Sequence, residues 1–76
     1  MDELTPQQER IAHLIGEGLS NAEIAERLRI SENTVRFHLK DIYSRLDVHT
    51  RTRLARLVIL SAADDTAARR TGDAAF

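Results

Sequence analysis

Residues 31–46 read SENTVRFHLKDIYSRL, and the spacing within this stretch decides the fold. Ser31 is a good helix N-cap, because its hydroxyl can accept from the free backbone N–H groups that open a helix. Glu32 sits in the first turn, where the positive end of the helix dipole favours an acid. Behind that start Val35, Leu39, Ile42 and Leu46 recur at i, i+4, i+7 and i+11, one narrow apolar stripe suited to lying on a core. At ~100° per residue, Asn33, Arg36, Phe37, Lys40, Asp41 and Ser44 fall on the opposite side. A helix that offers two cations, an amide, a hydroxyl and an aromatic outward together has a face built for reading a partner.

Working outward, Ser20-Asn21-Ala22-Glu23 is a capping box that opens a short helix over Asn21–Leu28, with Ile24, Ala25 and Leu28 on its buried side. Arg29-Ile30 joins it to Ser31 with no room for a long loop. Two helices so tightly joined, the second amphipathic with a basic outer face, form a helix-turn-helix pattern. Further upstream Thr5-Pro6-Gln7-Gln8 starts a supporting helix, with Thr as cap, Pro at the first helical position and Gln completing a capping box. Leu4, Ile11, Leu14 and Ile15 form its apolar face, Gly18 ends it in the left-handed conformation, and His13 falls on the solvent side. Downstream, Asp47 stands just past the end of the reading helix, where a left-handed residue is usual and Gly would be easiest.

Thr50 caps a fourth helix that runs from Arg51 to about Ala62. Leu54, Ala55, Leu57, Val58, Ile59 and Leu60 cover most of its circumference, more than one side of a terminal helix needs to close a small core. The arc formed by Leu54, Leu57, Val58 and Ser61 is therefore the expected homodimer contact. The expectation is an all-α, four-helix bundle-like domain over residues 1–62, followed by a disordered tail over 63–76, where apolar periodicity ceases.

Composition narrows the function. Seventy-six residues make one small domain, near the size at which a single core is marginal. The chain has no cysteine, which excludes disulfides and thiolate metal sites, and His13, His38 and His49 share no ligand spacing with carboxylates. No metal, cofactor or small-molecule ligand is expected. The longest apolar run, Leu57–Leu60, is too short to cross a bilayer and no secretory signal opens the chain, so the expected compartment is the cytoplasm, with no membrane partner. The net charge is only −1, but it is unevenly spread. Residues 27–56 carry eight arginines and lysines against three acids, whereas residues 1–26 carry six acids against Arg10 alone. The basic middle coincides with the reading helix and fits an anionic partner, although an ordinary solvated surface would also show such charges. No nucleophile–base pair or carboxylate pair lies on a plausible cleft, so the chain does not read as an enzyme.

Leu4-Thr5-Pro6, Gly18-Leu19-Ser20-Asn21-Ala22-Glu23-Ile24-Ala25, Ile30-Ser31-x-x-Thr34-Val35-Arg36-x-His38 and Leu46-x-Val48-x-x-Arg51 together resemble the LuxR-type (NarL/FixJ) DNA-binding domain. The resemblance implies a bacterial transcription regulator that binds double-stranded DNA as a dimer, with the third helix in the major groove and the fourth at the dimer contact. It implies base contacts from Arg36, Phe37 and Lys40. Arg36 would fork to guanine O6 and N7, Lys40 would reach similar acceptors or a phosphate, and Phe37 would pack on a thymine methyl. Ser20, Asn21, Thr34 and Arg51 match positions near the DNA backbone. Plainer readings stand beside these: an exposed aromatic with no role for Phe37, a local cap or helix-start hydroxyl for Ser20 and Thr34, and packed core-edge residues for His38 and Tyr43. Gln7-Gln8, Asp47 and Thr50 depart from the family's usual Arg-Glu, Gly and Asn, and none of them lies on the reading face. Two alternatives remain open on the residues alone. One is a promoter-reading region of a sigma factor acting with RNA polymerase, which is also a natural partner for a regulator. The other is an interaction module on the same fold.

Overall fold

Every helix among the described residues begins behind a hydroxyl side chain. In the computed structural model, which describes residues 3–61, the helices are α1 (Pro6–Gly16), α2 (Asn21–Leu28), α3 (Glu32–Leu46) and α4 (residues 51–61). At α1 the Gln8 amide N–H donates to Thr5 Oγ1 and the Thr5 N–H donates to Gln8 Oε1, both at 3.2 Å. At α2 Ser20 and Glu23 make the same reciprocal pair at 3.1 and 2.8 Å. Ser31 Oγ accepts from Thr34 N at 3.0 Å, and Thr50 Oγ1 from Arg53 N at 3.1 Å. Each bond satisfies a backbone donor that the helix itself leaves unpaired. The fold is all-α, with no strand among the described residues. Residues 62–76, and with them the tail expected over 63–76, lie outside the described residues.

The helix ends share one solution. After α1, α2 and α3 a residue turns left-handed, and the next N–H reaches back five residues, from Leu19 to Leu14 O, Ile30 to Ala25 O and Val48 to Tyr43 O at 2.9–3.1 Å. The turning residues are Gly18 (φ 92°), Arg29 (φ 58°) and Asp47 (φ 54°). Gly18 and Asp47 stand where the sequence placed such residues; Arg29 carries no local signal for this conformation. Only three residues join α2 to α3, so the chain must reverse at Arg29 whatever its side chain prefers. A non-glycine residue held there costs on the order of 1 kcal/mol.

The core is assembled from all four helices. Ile11, Ile24, Val35, Ile42 and Leu54 are fully buried, with Leu4, Ala12, Leu14, Ile15, Ala25, Leu39 and Val58 around them. Burying one such branched side chain stabilises the fold by about 1.5–3 kcal/mol. The stripe expected on α3 is the face that enters this core, with Leu46 partly buried at its end. Helix α4 is attached through Leu54 and Val58, and a Cβ added at Gly16 would lie 2.9 Å from Val58 Cγ1. The lack of a side chain at position 16 is what lets α1 and α4 approach. Leu54 and Val58, two of the four residues expected at a dimer contact, are 0% and 2% exposed within the single chain. They sit on the side of α4 that closes its own core, and the apolar residues left outside are Ile59 and Leu60.

Two side-chain struts brace the helices. The Gln8 side-chain amide donates to Asp41 Oδ2 at 2.6 Å, and Arg45 Nε donates to the same oxygen at 2.9 Å. Arg45 Nη1 continues to the Glu3 carbonyl at 2.9 Å. The Gln8 bond is the main reason the Asp41 carboxyl is held below the usual carboxylate range, and it outweighs partial desolvation; Arg45 adds to it. The second strut starts at Arg51. Its Nη1 donates to Asn21 Oδ1 at 2.6 Å and its Nη2 to the Leu19 carbonyl at 2.7 Å, tying the first turn of α4 to the first turn of α2.

Candidate nucleic-acid interface

The outward face of α3 carries the three expected base-reading side chains in an accessible state. Arg36, Phe37 and Lys40 are all exposed. Because the opposite face of the same helix is locked into the core by Val35, Leu39 and Ile42, these side chains project from a rigid support. Arg36 is steadied by its own helix: Nη1 lies 3.3 Å from Glu32 Oε2, and Nη2 donates to Asn33 Oδ1. Both partners are exposed and three or four residues away, so the pairing is worth only a few tenths of a kcal/mol. A bidentate partner can displace it. Lys40 has no hydrogen bond or ion pair among the described residues. Phe37, Lys40, Asp41 and Ser44 line one shallow depression on this face.

The residues expected near a DNA backbone separate into two groups. Ser20, Asn21 and Thr34 stand at the N-terminal ends of α2 and α3, where backbone N–H groups and the helix dipole favour an anion. Ser20 and Thr34 also do local work, the first as a cap and the second through a 2.8 Å bond between its hydroxyl and that of Ser31. Arg51 is different. Both terminal nitrogens of its guanidinium serve the strut to α2, and the residue is half-buried. By taking Asn21 Oδ1, Arg51 leaves the Asn21 side chain with its NH2 donors to offer elsewhere. The separation of thirty residues between these partners hid the pairing from any local reading of the sequence.

His38 packs at the core edge and meets Phe37 edge to face, with ring centroids 5.9 Å apart and planes at 74°. Its Nδ1 is buried with no hydrogen-bond partner among the described residues. Tyr43 is partly buried against the core. Asp41, grouped with the outward residues from its helical phase, lies at the border of that face, with one oxygen turned to α1 by the Gln8 bond. On α4, Leu57 and Ser61 are half-buried. Leu57 and Leu60 border a shallow apolar depression with Val48, Arg53 and Arg56.

A tight helix-turn-helix braced by a supporting helix, with an exposed cationic face on its second helix, defines a DNA-binding module. The match to the luxR family of bacterial regulatory proteins spans residues 2–58, and the chain belongs to that family. It is 40% identical over 52 residues to the two-component response regulator PprB of Pseudomonas aeruginosa, a match taking in 68% of this chain and 19% of PprB. It is 43% identical over 53 residues to the transcriptional regulatory protein LnrK of Bacillus subtilis, covering 70% of this chain and 24% of LnrK. With the HTH-type transcriptional regulator AlkS of Alcanivorax borkumensis it shares 46% identity over 50 residues, covering 66% of this chain and 6% of AlkS. The chain thus corresponds to a quarter or less of the length of these relatives. Membership of the family makes it a DNA-binding module of transcription regulation. Among the described residues no helix is long and apolar enough to cross a membrane.

Proposed function

We propose that the chain binds specific double-stranded DNA as a homodimer in the cytoplasm, with α3 in the major groove and α4 at the two-fold contact. The observation that carries the reading is the division of α3 into a locked core face and an exposed face bearing Arg36, Phe37 and Lys40. Arg36 exchanges Glu32 and Asn33 for guanine O6 and N7, and Lys40 reaches a neighbouring acceptor or phosphate. Ser20, the Asn21 NH2 group and Thr34, with the helix N-termini they stand on, grip phosphates and fix register. Arg51 acts on that grip by holding Asn21 in place. The sigma-factor alternative finds less support, because the family match continues into α4, whose Leu54 and Val58 belong to the core. The exposed cations favour DNA over a purely protein-binding module.

The dimer contact proposed here centres on Leu57 and Leu60, flanked by Val48 and Ser61, in place of Leu54 and Val58. The apolar patch is small and Arg53 and Arg56 border it, so association without DNA is weak and two half-sites on one duplex complete it. Selection of bound sequences from random duplexes, followed by sedimentation with the selected duplex, tests the whole proposal. The expected result is a site with two-fold symmetry and two chains per duplex at saturation. One chain per duplex overturns the dimer, and failure to enrich any sequence overturns specific recognition.

A further inference from the structure

Arg53 and Arg56 are exposed on α4, and neither guanidinium has an ion pair or a hydrogen bond among the described residues. They border the depression formed with Val48, Leu57 and Leu60, which no acidic side chain lines. At ~100° per residue, Leu60 falls between the two arginines around α4. A two-fold contact through Leu57 and Leu60 therefore brings two guanidinium groups from each chain to one rim. Like charges gathered where water is excluded oppose such a contact. Asp47 lines the neighbouring depression with Arg53, but one carboxylate cannot balance both arginines of its chain. We propose that the four guanidinium groups form an anion site on the two-fold axis, which takes a small polyvalent oxyanion of the oligophosphate class and fastens the dimer. The side chains suit that ligand, since a guanidinium keeps its charge and its forked N–H donors match phosphate oxygens in pairs. A chain of phosphates carries several charges at once, as four cations require. One subunit holds only half of the site, so binding of the anion and pairing of the chains favour each other by the same factor. The proposal rests on the α4 dimer and adds to it a ligand and a means of control.

The test is sedimentation of the DNA-free chain with and without inorganic tripolyphosphate, the ionic strength being matched with chloride. Four exposed charge pairings together tighten association about tenfold, so tripolyphosphate should raise the dimer fraction of the parent by that factor in dissociation constant. The double variant Arg53→Gln, Arg56→Gln removes both the repulsion and the site. Its dimer fraction should equal or exceed that of the anion-free parent and should not respond to tripolyphosphate. Both side chains are exposed, so the variant keeps the fold, which circular dichroism verifies. A parent that ignores tripolyphosphate, while two chains still load on the selected duplex, overturns the anion site and leaves the dimer standing. A double variant that responds as the parent does, or that pairs less well than the anion-free parent, overturns it too. The same oxyanion chemistry is offered by the DNA backbone, and the salt dependence of duplex binding separates the two sources. A shallower salt slope for the double variant assigns the arginines to DNA phosphates and overturns the small-anion site, whereas an unchanged slope supports it. One chain per duplex at saturation overturns the dimer and the anion site together.

Discussion

Helices α3 and α4 each turn an apolar side into the same core, and they differ in what they leave outside. Around Phe37, α3 leaves arginine, lysine, serine and asparagine; around Arg53 and Arg56, α4 leaves Ile59, Leu60 and part of Leu57. A mostly polar, cationic face with one aromatic suits the edges of base pairs, which are wet and patterned. A face of aliphatic carbon bordered by guanidinium groups suits another protein surface that excludes water, provided something offsets the repulsion at the rim. The contrast teaches that position in the helical wheel is insufficient. Leu54 and Val58 have the chemistry of an interface and are occupied by the core, whereas Leu60, two residues beyond Val58, is not.

The largest effect that can break this comparison is expected inside α4. Val58→Glu places a carboxylate against Gly16 and the backbone of Ala55, where the wild-type side chain is 2% exposed. The cost is on the order of 4 kcal/mol or more, enough to unfold so small a domain. Circular dichroism should show a disordered chain. Leu60→Glu, two residues along and half exposed, should keep the helical spectrum and melting temperature within experimental scatter while abolishing association and weakening binding to a two-half-site duplex. If both variants unfold, or both stay folded, the assignment of inner and outer faces is wrong.

On α3 the corresponding change is smaller and more selective. Arg36→Ala leaves the core untouched and gives up only exposed pairings with Glu32 and Asn33, so stability should barely move. Affinity for the selected site should fall by about 1–3 kcal/mol, with a smaller loss on unrelated duplexes, as expected for a bidentate base contact. Competition titrations at fixed salt measure the ratio. An equal loss on both duplexes would reassign Arg36 to the phosphates.

The smallest expected effect lies at the joint between the two helices. Asp47 holds φ 54° with its side chain 94% exposed, and its Oδ1 lies 3.8 Å from His49 Nε2. Asp47→Gly should relieve the left-handed strain and lose part of that gain to the freer unfolded chain, for a net stabilisation of a few tenths to about 1 kcal/mol. A lower melting temperature would mean that the carboxylate contributes more here than its exposure implies.

Much of the fold was legible because helix starts are local chemistry. Thr5, Ser20, Ser31 and Thr50 announce four helices, and the structure begins each one at the next residue. The apolar stripe of α3 was legible for the same reason, since its period lies within fifteen residues. What escaped was non-local. Arg29 is left-handed because its connection is short, the Gln8–Asp41 bond joins residues thirty-three apart, and Arg51 finds Asn21 across the fold. Leu54 and Val58 were apolar beyond question; only the position of α1, with Gly16 opening a place for Val58, decides which part of α4 they serve.

The Arg51 strut gives this small domain a means of communication. Its two bonds join the opening turn of α4, near the proposed subunit contact, to the opening turn of α2, near the proposed phosphate grip. Free-energy linkage between two such places is reciprocal. If pairing of subunits favours the strut, the grip on DNA gains by the same factor by which DNA favours pairing. An event at α4 would then alter DNA affinity without anything entering the groove, and Arg51→Lys, which keeps the charge but loses the fork that spans Asn21 and Leu19, should uncouple the two while leaving each in place.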